Sequence, residues 1–213
     1  LPVRAYEDGN FILMVTSAGT IKKTPIKDFS RPLARGIIAI DLHEDECLVG
    51  VAITVGKRYL MLFSSSGKVV RFNEDQVRPM GRTAHGVRGI ALEPGQRVIS
   101  LVIPEPGTIL SVTANGYGKR TPVEGFPTKG RGIKGLRGVR TSDRNGEQVG
   151  AVLVLPDDEI MLITEGGTLV RTTVQGIPIV GRDTQGVKLI SFGANERLAG
   201  VERIVALDDA DTD

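Results

Sequence analysis

One pattern occurs four times along this chain and limits what it can fold into: a glycine, a basic residue four positions later, and a second glycine 17 or 19 positions after the first. The first glycines lie 48, 49 and 51 residues apart. Self-similarity at such a period predicts stacked or radially arranged copies of one supersecondary unit. A basic residue at a fixed phase predicts one positive charge per copy along a single side of the array. The first glycines are Gly19, Gly67, Gly116 and Gly167, the basic residues are Lys23, Arg71, Arg120 and Arg171, and the second glycines are Gly36, Gly86, Gly135 and Gly186.

Each repeat is predicted to form four short β-strands. An apolar run precedes each first glycine, and dipeptides such as Asn115-Gly116 predict a tight hairpin turn in which both residues accept positive φ. A second strand follows the turn, a third follows a basic loop, and a fourth follows an acidic turn. No window of 12 or more residues keeps a convincing helical period, and 27 glycines and 11 prolines interrupt the chain. The third strands are predicted in GIIAIDL (36–42), GVRGIAL (86–92), GLRGVRT (135–141) and GVKLISF (186–192).

These strands predict an all-β fold built by radial repetition, as in a propeller. A linear β-solenoid is the alternative, although its repeats are usually shorter. Since no linker separates the repeats, we predict one domain over residues 1–213. The chain starts at Leu1 rather than Met, which suggests a fragment. The predicted blades span about 11–58, 59–107, 108–158 and 159–207, with 1–10 as the end of a preceding blade and 208–213 as the start of an acidic tail.

Two prolines follow the turn glycine by six residues, in the first and third repeats. Pro25 and Pro122 cannot donate to a strand ladder, so we predict strand ends, edges or bulges at both positions. We further expect them to tilt their blades relative to the neighbouring blades.

Composition argues against several classes of protein. There is no apolar run of about 18 residues and no signal-peptide layout at the N-terminus. The single cysteine, Cys47, excludes an internal disulfide framework and fits a reducing compartment; its place at the start of an apolar strand predicts a buried side chain. With two histidines and no CxxC motif, no zinc site is predicted.

Charge follows the phase of the repeat, although the net charge is only +2. The stretches 19–40, 68–90, 117–140 and 168–190 contain 20 of the 27 Lys and Arg residues but only 5 of the 25 Asp and Glu residues. This distribution predicts a basic surface on one part of each repeat. Aromatic residues make up 4% of the chain, so base stacking on a single strand is disfavoured. Sequence-independent contact with duplex phosphates is the favoured mode.

Local motifs add little evidence for catalysis. Gly130, Gly132 and Gly135 spell GxGxxG, but no helix is predicted after them, so a loop with exposed N–H groups near phosphate is favoured over a dinucleotide site. The acidic turns lack a catalytic carboxylate arrangement, which argues against a glycosidase-like propeller enzyme. Ser64–Ser66 lacks the context of a nucleophile, and His85 is assigned to a polar loop. The acidic C-terminus could mimic phosphate and compete for the basic surface.

Three segments closely resemble the C-terminal domain of bacterial DNA gyrase A: 64–90, 115–154 and 163–190. The resemblance extends in order over about residues 1–209. It implies a β-pinwheel, in which neighbouring four-stranded blades exchange strands and a basic outer rim wraps double-stranded DNA. By analogy, the domain itself is non-catalytic and supports negative supercoiling by a heterotetramer of gyrase A and gyrase B, with cleavage, ATP and Mg²⁺ elsewhere and a cytoplasmic, nucleoid-associated location.

One motif of the family is missing from this chain, and two other assignments remain open. The Gln/Arg/Gly/Lys-rich gyrase box of the family's first blade is absent, so we expect the last four of six blades, able to bend DNA without full chiral wrapping. The corresponding C-terminal domain of topoisomerase IV is the alternative within the family, and a protein-interaction propeller is the alternative outside it. The predicted phosphate contacts are Lys22, Lys23, Arg35, Arg71, Arg82, Arg88, Lys119, Arg120, Lys129, Arg131, Lys134, Arg137, Arg171, Arg182 and Lys188.

Overall fold

The computed structural model describes residues 2, 3, 5–193 and 196–204, and this part of the chain is almost entirely β-structure. The described residues form fifteen strands and three short 3₁₀ segments, at Ile26–Phe29, Glu74–Gln76 and Val123–Gly125. The strands are β1 (Phe11–Thr16), β2 (Thr20–Pro25), β3 (Leu48–Thr54), β4 (Tyr59–Ser64), β5 (Lys68–Asn73), β6 (Val87–Arg88), β7 (Val98–Val102), β8 (Thr108–Thr113), β9 (Tyr117–Pro122), β10 (Leu136–Arg137), β11 (Gln148–Val154), β12 (Glu159–Thr164), β13 (Leu169–Thr173), β14 (Val187–Lys188) and β15 (Leu198–Ile204).

Four antiparallel sheets use these strands, one sheet for each sequence repeat. Their orders are β3-β1-β2-β6, β10-β5-β4-β7, β11-β8-β9-β14 and β13-β12-β15. In every sheet a central hairpin, predicted from the apolar run and turn glycine, pairs on one side with the long strand that closes the same repeat. The predicted first, second and fourth strands are therefore confirmed.

The third strand differs from the prediction because it leaves its own repeat. It is only two residues long, and in three sheets it comes from the following repeat: β6 pairs with β2, β10 with β5, and β14 with β9. The segment 36–42 of the first repeat forms no strand, and β13 has no partner on its outer side among the described residues. Among the described residues, the second, third and fourth repeats each contain the four predicted strands, whereas the first has only three. The third strand pairs in the sheet of the preceding repeat, which is the strand exchange expected from the resemblance.

The two glycines that recur in each repeat are required for different structural reasons. The first closes the hairpin turn: its N–H donates to the carbonyl three residues earlier, as from Gly19 to Thr16 at 3.0 Å, and its φ of 84° favours glycine. The second lets the exchanged strand approach the preceding repeat. A Cβ on Gly135, whose φ is 76°, would lie 2.7 Å from the Val69 carbonyl oxygen. Glycine at this phase is therefore required by strand exchange rather than by a turn alone.

The described residues divide into two compact units, each built on two repeats. Unit 1 is formed by the described residues within 1–104 and 126–138, and unit 2 by those within 105–125 and 139–204. The core of unit 1 includes Leu13, Leu62 and Phe72, and the core of unit 2 includes Leu110, Leu162 and Val201. The segment 126–138 follows the third repeat's first hairpin in sequence but packs in unit 1, because it supplies β10 to the second sheet.

Several smaller predictions can be compared with the structure. Pro25 and Pro122 are the last residues of β2 and β9, as predicted for residues that cannot donate to a ladder. The Cys47 prediction is wrong: its side chain is exposed, because β3 begins one residue later at an exposed position. The predicted acidic tail, 208–213, lies outside the described residues. Within the described part of the chain, no helix is long and apolar enough to cross a membrane.

Candidate nucleic-acid interface

Two of the predicted phosphate contacts are lysines buried in the middle of a sheet. Lys22 on β2 and Lys119 on β9 each have no solvent-exposed surface. The Lys22 ammonium donates to the carbonyl oxygens of Ala39, at 2.7 Å, and Arg82. The Lys119 ammonium donates in the same way to Gly181, at 2.7 Å, and Arg182. Lys119 therefore holds the loop of the next repeat, and Lys22 joins a carbonyl of its own repeat to one of the next.

Burial changes the protonation of these two lysines. Desolvation is the main cause that lowers the pKa of both to about 8. The neighbouring Arg82 lowers the pKa of Lys22 further, while Asp41 opposes the shift. At Lys119, Asp183 opposes the shift and Arg182 adds to it. The ammonium form is still dominant at neutral pH, where its hydrogens satisfy the loop carbonyls.

We expect the stability of the chain to rise between about pH 8 and pH 10. The folded-state pKa lies below the ordinary value of 10.5, so the unfolded chain binds more protons in this window and the free energy of unfolding increases with pH. The expected gain is about 1–2 kcal/mol for each lysine. Urea unfolding at pH 8 and pH 10 measures this increase in the free energy of unfolding for the wild type. The Lys119→Met variant should show a smaller increase. An equal gain in both proteins would contradict the assignment to Lys119.

The basic residues that follow each first glycine by four positions also bind mainly to other parts of the protein. Lys23, Arg71 and Arg120 face the equivalent partner in the central hairpin, Leu13, Met61 and Leu110. Each donates to a backbone carbonyl of the next repeat: Lys23 to Glu74 at 3.1 Å, Arg71 to Phe126 at 3.0 Å, and Arg120 to Ile177 at 2.7 Å. These three residues therefore recur at the same position because each joins its own repeat to the next repeat of the same unit.

The fourth member of this series differs. Arg171 faces Met161 in the same register, yet it is exposed and pairs with Glu159 of its own hairpin. The hydrogen bond that Arg171 donates to Glu159, together with the carboxylate charge, raises the pKa of Arg171. No residue of a following repeat is available in the described chain to take the equivalent contact.

Direct phosphate contact is unfavourable for four of the predicted residues. Lys22, Lys23, Lys119 and Arg120 are at most 6% exposed and already donate to protein carbonyls. A phosphate oxygen cannot reach a buried ammonium or guanidinium unless the surrounding loop opens. We assign these four to positioning the loops, whereas the remaining predicted contacts stay candidates.

The exposed basic residues of unit 1 lie on the exchanged segment 126–138 and on the residues that it contacts. We call the following set the unit 1 patch: Arg88, Lys129, Arg131, Lys134 and Arg137. Arg131 is half-buried and the other four are exposed. Backbone bonds hold the segment on both sides: the N–H of Lys129 donates to the Arg71 carbonyl of β5 at 2.8 Å, and that of Gly132 donates to the carbonyl of Gly89, just after β6, at 2.6 Å.

Side-chain contacts complete this arrangement. The Arg131 guanidinium donates to the carbonyls of Gln76 at 2.8 Å and Arg88 at 2.9 Å. Arg137 faces Lys68, an additional basic residue, in the β10–β5 register. The GxGxxG loop thus does not present free N–H groups at Lys129, Arg131 and Gly132, contrary to expectation, because these donate within unit 1. It presents long cationic side chains on a fixed backbone.

One acidic residue partly neutralises the unit 1 patch. The Glu93 carboxylate lies 3.3 Å from the Lys134 ammonium and 3.8 Å from that of Lys68. The hydrogen bond from Lys134 and the charge of Lys68 lower the pKa of Glu93, so it stays ionised at neutral pH. Duplex DNA would have to compete with this carboxylate for both lysines.

Replacing this carboxylate should strengthen DNA binding. We expect Glu93→Gln to raise duplex affinity about threefold at low salt, since it frees two ammonium groups without changing side-chain size. Glu44→Gln, at an exposed acid of unit 1 outside this contact, is the matched control. Fluorescence anisotropy with a labelled duplex gives the measurement, and equal affinity in the two variants would contradict the competition.

Unit 2 has a smaller set of basic side chains around Tyr117. The Lys188 ammonium and the Arg144 guanidinium lie 5.0 Å and 5.2 Å from the ring centre, and Arg144 also donates to the phenol oxygen at 3.3 Å. This hydrogen bond is the main cause that lowers the pKa of Tyr117. Arg140 lies 3.2 Å from Asp183. Sequence reasoning missed Arg140 and Arg144; the first lies inside a basic stretch, but nothing in the pattern marks the second.

The other predicted contacts are spread over the first, second and fourth repeats. Arg35 is exposed, and Arg82 is half-buried and donates to the Ile38 carbonyl at 2.9 Å. Arg182 is half-buried beside Asp183 and Lys119, and Arg71 lies 5.0 Å from the Tyr59 ring centre. The structure therefore brings together the patch residues of unit 1 and, separately, Lys188 and Arg144 of unit 2.

The fold and this surface define a class: an all-β repeat protein of the propeller type, with strand-exchanged blades and basic loops. The model of the DNA gyrase C-terminal domain, a beta-propeller, matches residues 10–54, 58–105, 107–155 and 158–204. These matches cover most of the chain, which therefore belongs to the DNA gyrase C-terminal domain family.

Relatives agree with this membership. The chain is 52% identical to the DNA gyrase A of Salmonella typhimurium and 48% identical to that of Escherichia coli, in both cases over its whole length. It spans about a quarter of the length of these relatives, 24% and 25%.

Solved structures show the same fold. A DNA gyrase A C-terminal domain matches with a TM-score of 0.84 and 26% identity over 95% of this chain and 68% of the other. The C-terminal domain of a DNA topoisomerase IV matches with a TM-score of 0.89 and 26% identity, over 96% of this chain and 64% of the other. The predicted family and the all-β, propeller-like fold are confirmed.

Proposed function

We propose that this chain is a non-catalytic module that binds double-stranded DNA by sequence-independent phosphate contacts. The observation that carries the proposal is the unit 1 patch, in which an exchanged loop holds Lys129, Lys134 and Arg137 exposed beside Arg88. Phosphate contacts need cations on a positioned backbone and no base-reading side chains. The low aromatic content, 4%, fits a duplex better than a stacked single strand.

Within the whole protein, we propose that the module bends and wraps DNA for the negative supercoiling activity of a gyrase. The likeness to DNA gyrase A at about half identity supports this assignment over topoisomerase IV. The partners would be the rest of gyrase A and gyrase B. DNA cleavage, ATP and Mg²⁺ would belong to those parts, and the location would be the cytoplasm near the nucleoid.

A salt titration tests the proposed binding mode. Affinity for a mixed-sequence duplex should fall linearly on a log–log plot, with a slope of about −0.9 for each phosphate neutralised. Engagement of the whole unit 1 patch therefore predicts a slope of about −4 or steeper. An unrelated duplex of equal length should bind equally well. A flat salt dependence, or a strong preference for one sequence, would contradict the proposal.

Bending is a separate part of the proposal and needs a separate measurement. A duplex labelled at both ends should show higher energy transfer when the chain is bound than when it is free. An unchanged transfer efficiency at saturating protein would contradict bending while leaving the binding mode intact.

A further inference from the structure

Both histidines of the chain meet one buried carboxylate in unit 1. The ligand atoms of His43, Glu46 and His85 all lie within 4.8 Å of one another. The His43 and His85 rings are 4.2 Å apart between centres, and the Glu46 side chain is only 7% exposed. Strand exchange causes this meeting, because the loop that precedes β6 of the second repeat lies against the acidic turn of the first.

The orientation of His85 is the one that a metal-binding histidine adopts. Its Nδ1 lies 2.8 Å from the Asp41 carbonyl oxygen, which can only accept, so Nδ1 carries the hydrogen. Its Nε2 then faces the Glu46 carboxylate. Histidines that ligate a metal commonly donate their other ring N–H to a carbonyl in this way.

The carboxylate is also held in place from outside the cluster. One Glu46 oxygen accepts from the Thr16 hydroxyl at 3.1 Å, and the other accepts from the His43 backbone N–H at 3.0 Å. The gap between His85 Nε2 and this second oxygen is 3.8 Å. That is too long for a hydrogen bond. It is close to the spacing of two ligands that each lie about 2.0–2.2 Å from a common ion.

At the corresponding position of unit 2, the described contacts are made by amide and hydroxyl groups. Gln185, which like His85 precedes the second repeat glycine, donates to the Ser142 hydroxyl at 2.7 Å. Its backbone carbonyl accepts from the Asn145 amide at 3.4 Å. The side chains of Arg140 and Asp183, 3.2 Å apart, join the same loop and turn. Unit 2 therefore makes this contact without an imidazole. The folding requirement alone therefore does not explain the two imidazoles at this place in unit 1.

We propose that His43, Glu46 and His85 bind a zinc ion. Two imidazole nitrogens and one carboxylate are a suitable donor set for zinc, and water would complete the tetrahedron. The ion would tie the exchanged loop around His85 to the turn 41–46. No zinc site was predicted from the sequence because the chain has only two histidines, 42 residues apart, and no CxxC motif.

Equilibrium dialysis of the chain, without a polyhistidine tag, against zinc at pH 7.5 tests the proposal. We expect a single bound zinc and a higher unfolding temperature in its presence. His85→Gln, which copies the residue of unit 2, should bind zinc at least tenfold more weakly while keeping the unfolding temperature of the zinc-free wild type. Glu46→Gln should also lose affinity.

Two further variants serve as controls. Asp45→Asn removes an exposed acid of the same turn, and Cys47→Ser removes the nearby exposed thiol. Both should bind zinc as the wild type does. Undiminished binding in His85→Gln, or loss of binding in Cys47→Ser, would overturn the proposed donor set. Cobalt gives an independent check, since a thiolate ligand adds a charge-transfer band that three nitrogen and oxygen ligands do not.

Discussion

Reversal of Lys129, Lys134 and Arg137 to glutamate should weaken duplex DNA binding at least about a hundredfold near 100 mM salt. The triple variant removes three cations from the exchanged segment and places three carboxylates against the phosphates. All three side chains are exposed, and the backbone of their segment is held by bonds that do not use them. The variant should therefore keep its fold, and the log–log salt slope should become shallower by about 3.

A matched triple variant separates position from net charge. Lys57→Glu, Arg97→Glu and Arg197→Glu change the charge equally at exposed residues outside the four basic stretches. We expect this control to lose less than about fivefold in affinity, through long-range repulsion alone. Binding is measured with a labelled duplex at several salt concentrations, and circular dichroism checks the fold. Equal losses in the two variants would show that net charge, not the unit 1 patch, governs binding.

Replacement of Arg120 by methionine should destabilise unit 2 by about 2–3 kcal/mol. The guanidinium is 6% exposed and donates from Nε to the Ile177 carbonyl at 2.7 Å. Methionine keeps most of the apolar stem but leaves this buried carbonyl without its charged donor. The backbone of Arg120 also pairs with Pro178 and Val180, so loss of the side chain should loosen this contact between consecutive repeats.

Arg171→Met is the natural control for this prediction. Arg171 occupies the same register in its hairpin, but it is exposed and paired only with Glu159. An exposed ion pair contributes little, so Arg171→Met should lose much less stability than Arg120→Met. Because the chain contains two compact units, native-state hydrogen exchange at the backbone amides of positions 120 and 180 is the most direct measurement. Similar protection in the two variants would contradict the role given to Arg120.

Much of the local structure could be predicted from single repeats. Apolar runs and turn glycines define the central hairpins, as in Phe11–Thr16 followed by Gly19, and the strand ends at Pro25 and Pro122 follow from the missing N–H. These features depend on neighbours within a few residues, which is the range that pattern reasoning covers. The exposed basic residues Lys129 and Lys134 were found in the same way, because they lie on a loop with no apolar period.

The side chains that were misassigned depend on contacts between repeats. Lys22 and Lys119 look like surface cations on an amphipathic strand, yet each ammonium donates to a carbonyl at least 60 residues away, Arg82 for Lys22 and Arg182 for Lys119. The pairing of His43 with His85 depends on the same kind of contact. Periodicity along the chain contains no information on which neighbouring segment covers a strand.

The sequence by itself determined the repeat, its hairpins, the family and the uneven distribution of charge. Only the tertiary structure decided what the recurring basic residue does. In three of four repeats strand exchange places the next repeat over it, so that Lys23, Arg71 and Arg120 bind backbone carbonyls. The physical reason is that a charged side chain covered by neighbouring backbone must satisfy its donors there, whereas the bases of the exchanged loop remain in water. The recurring basic residues that suggested a DNA-binding side thus serve mainly to join consecutive repeats. The exposed cations lie instead on the exchanged loop.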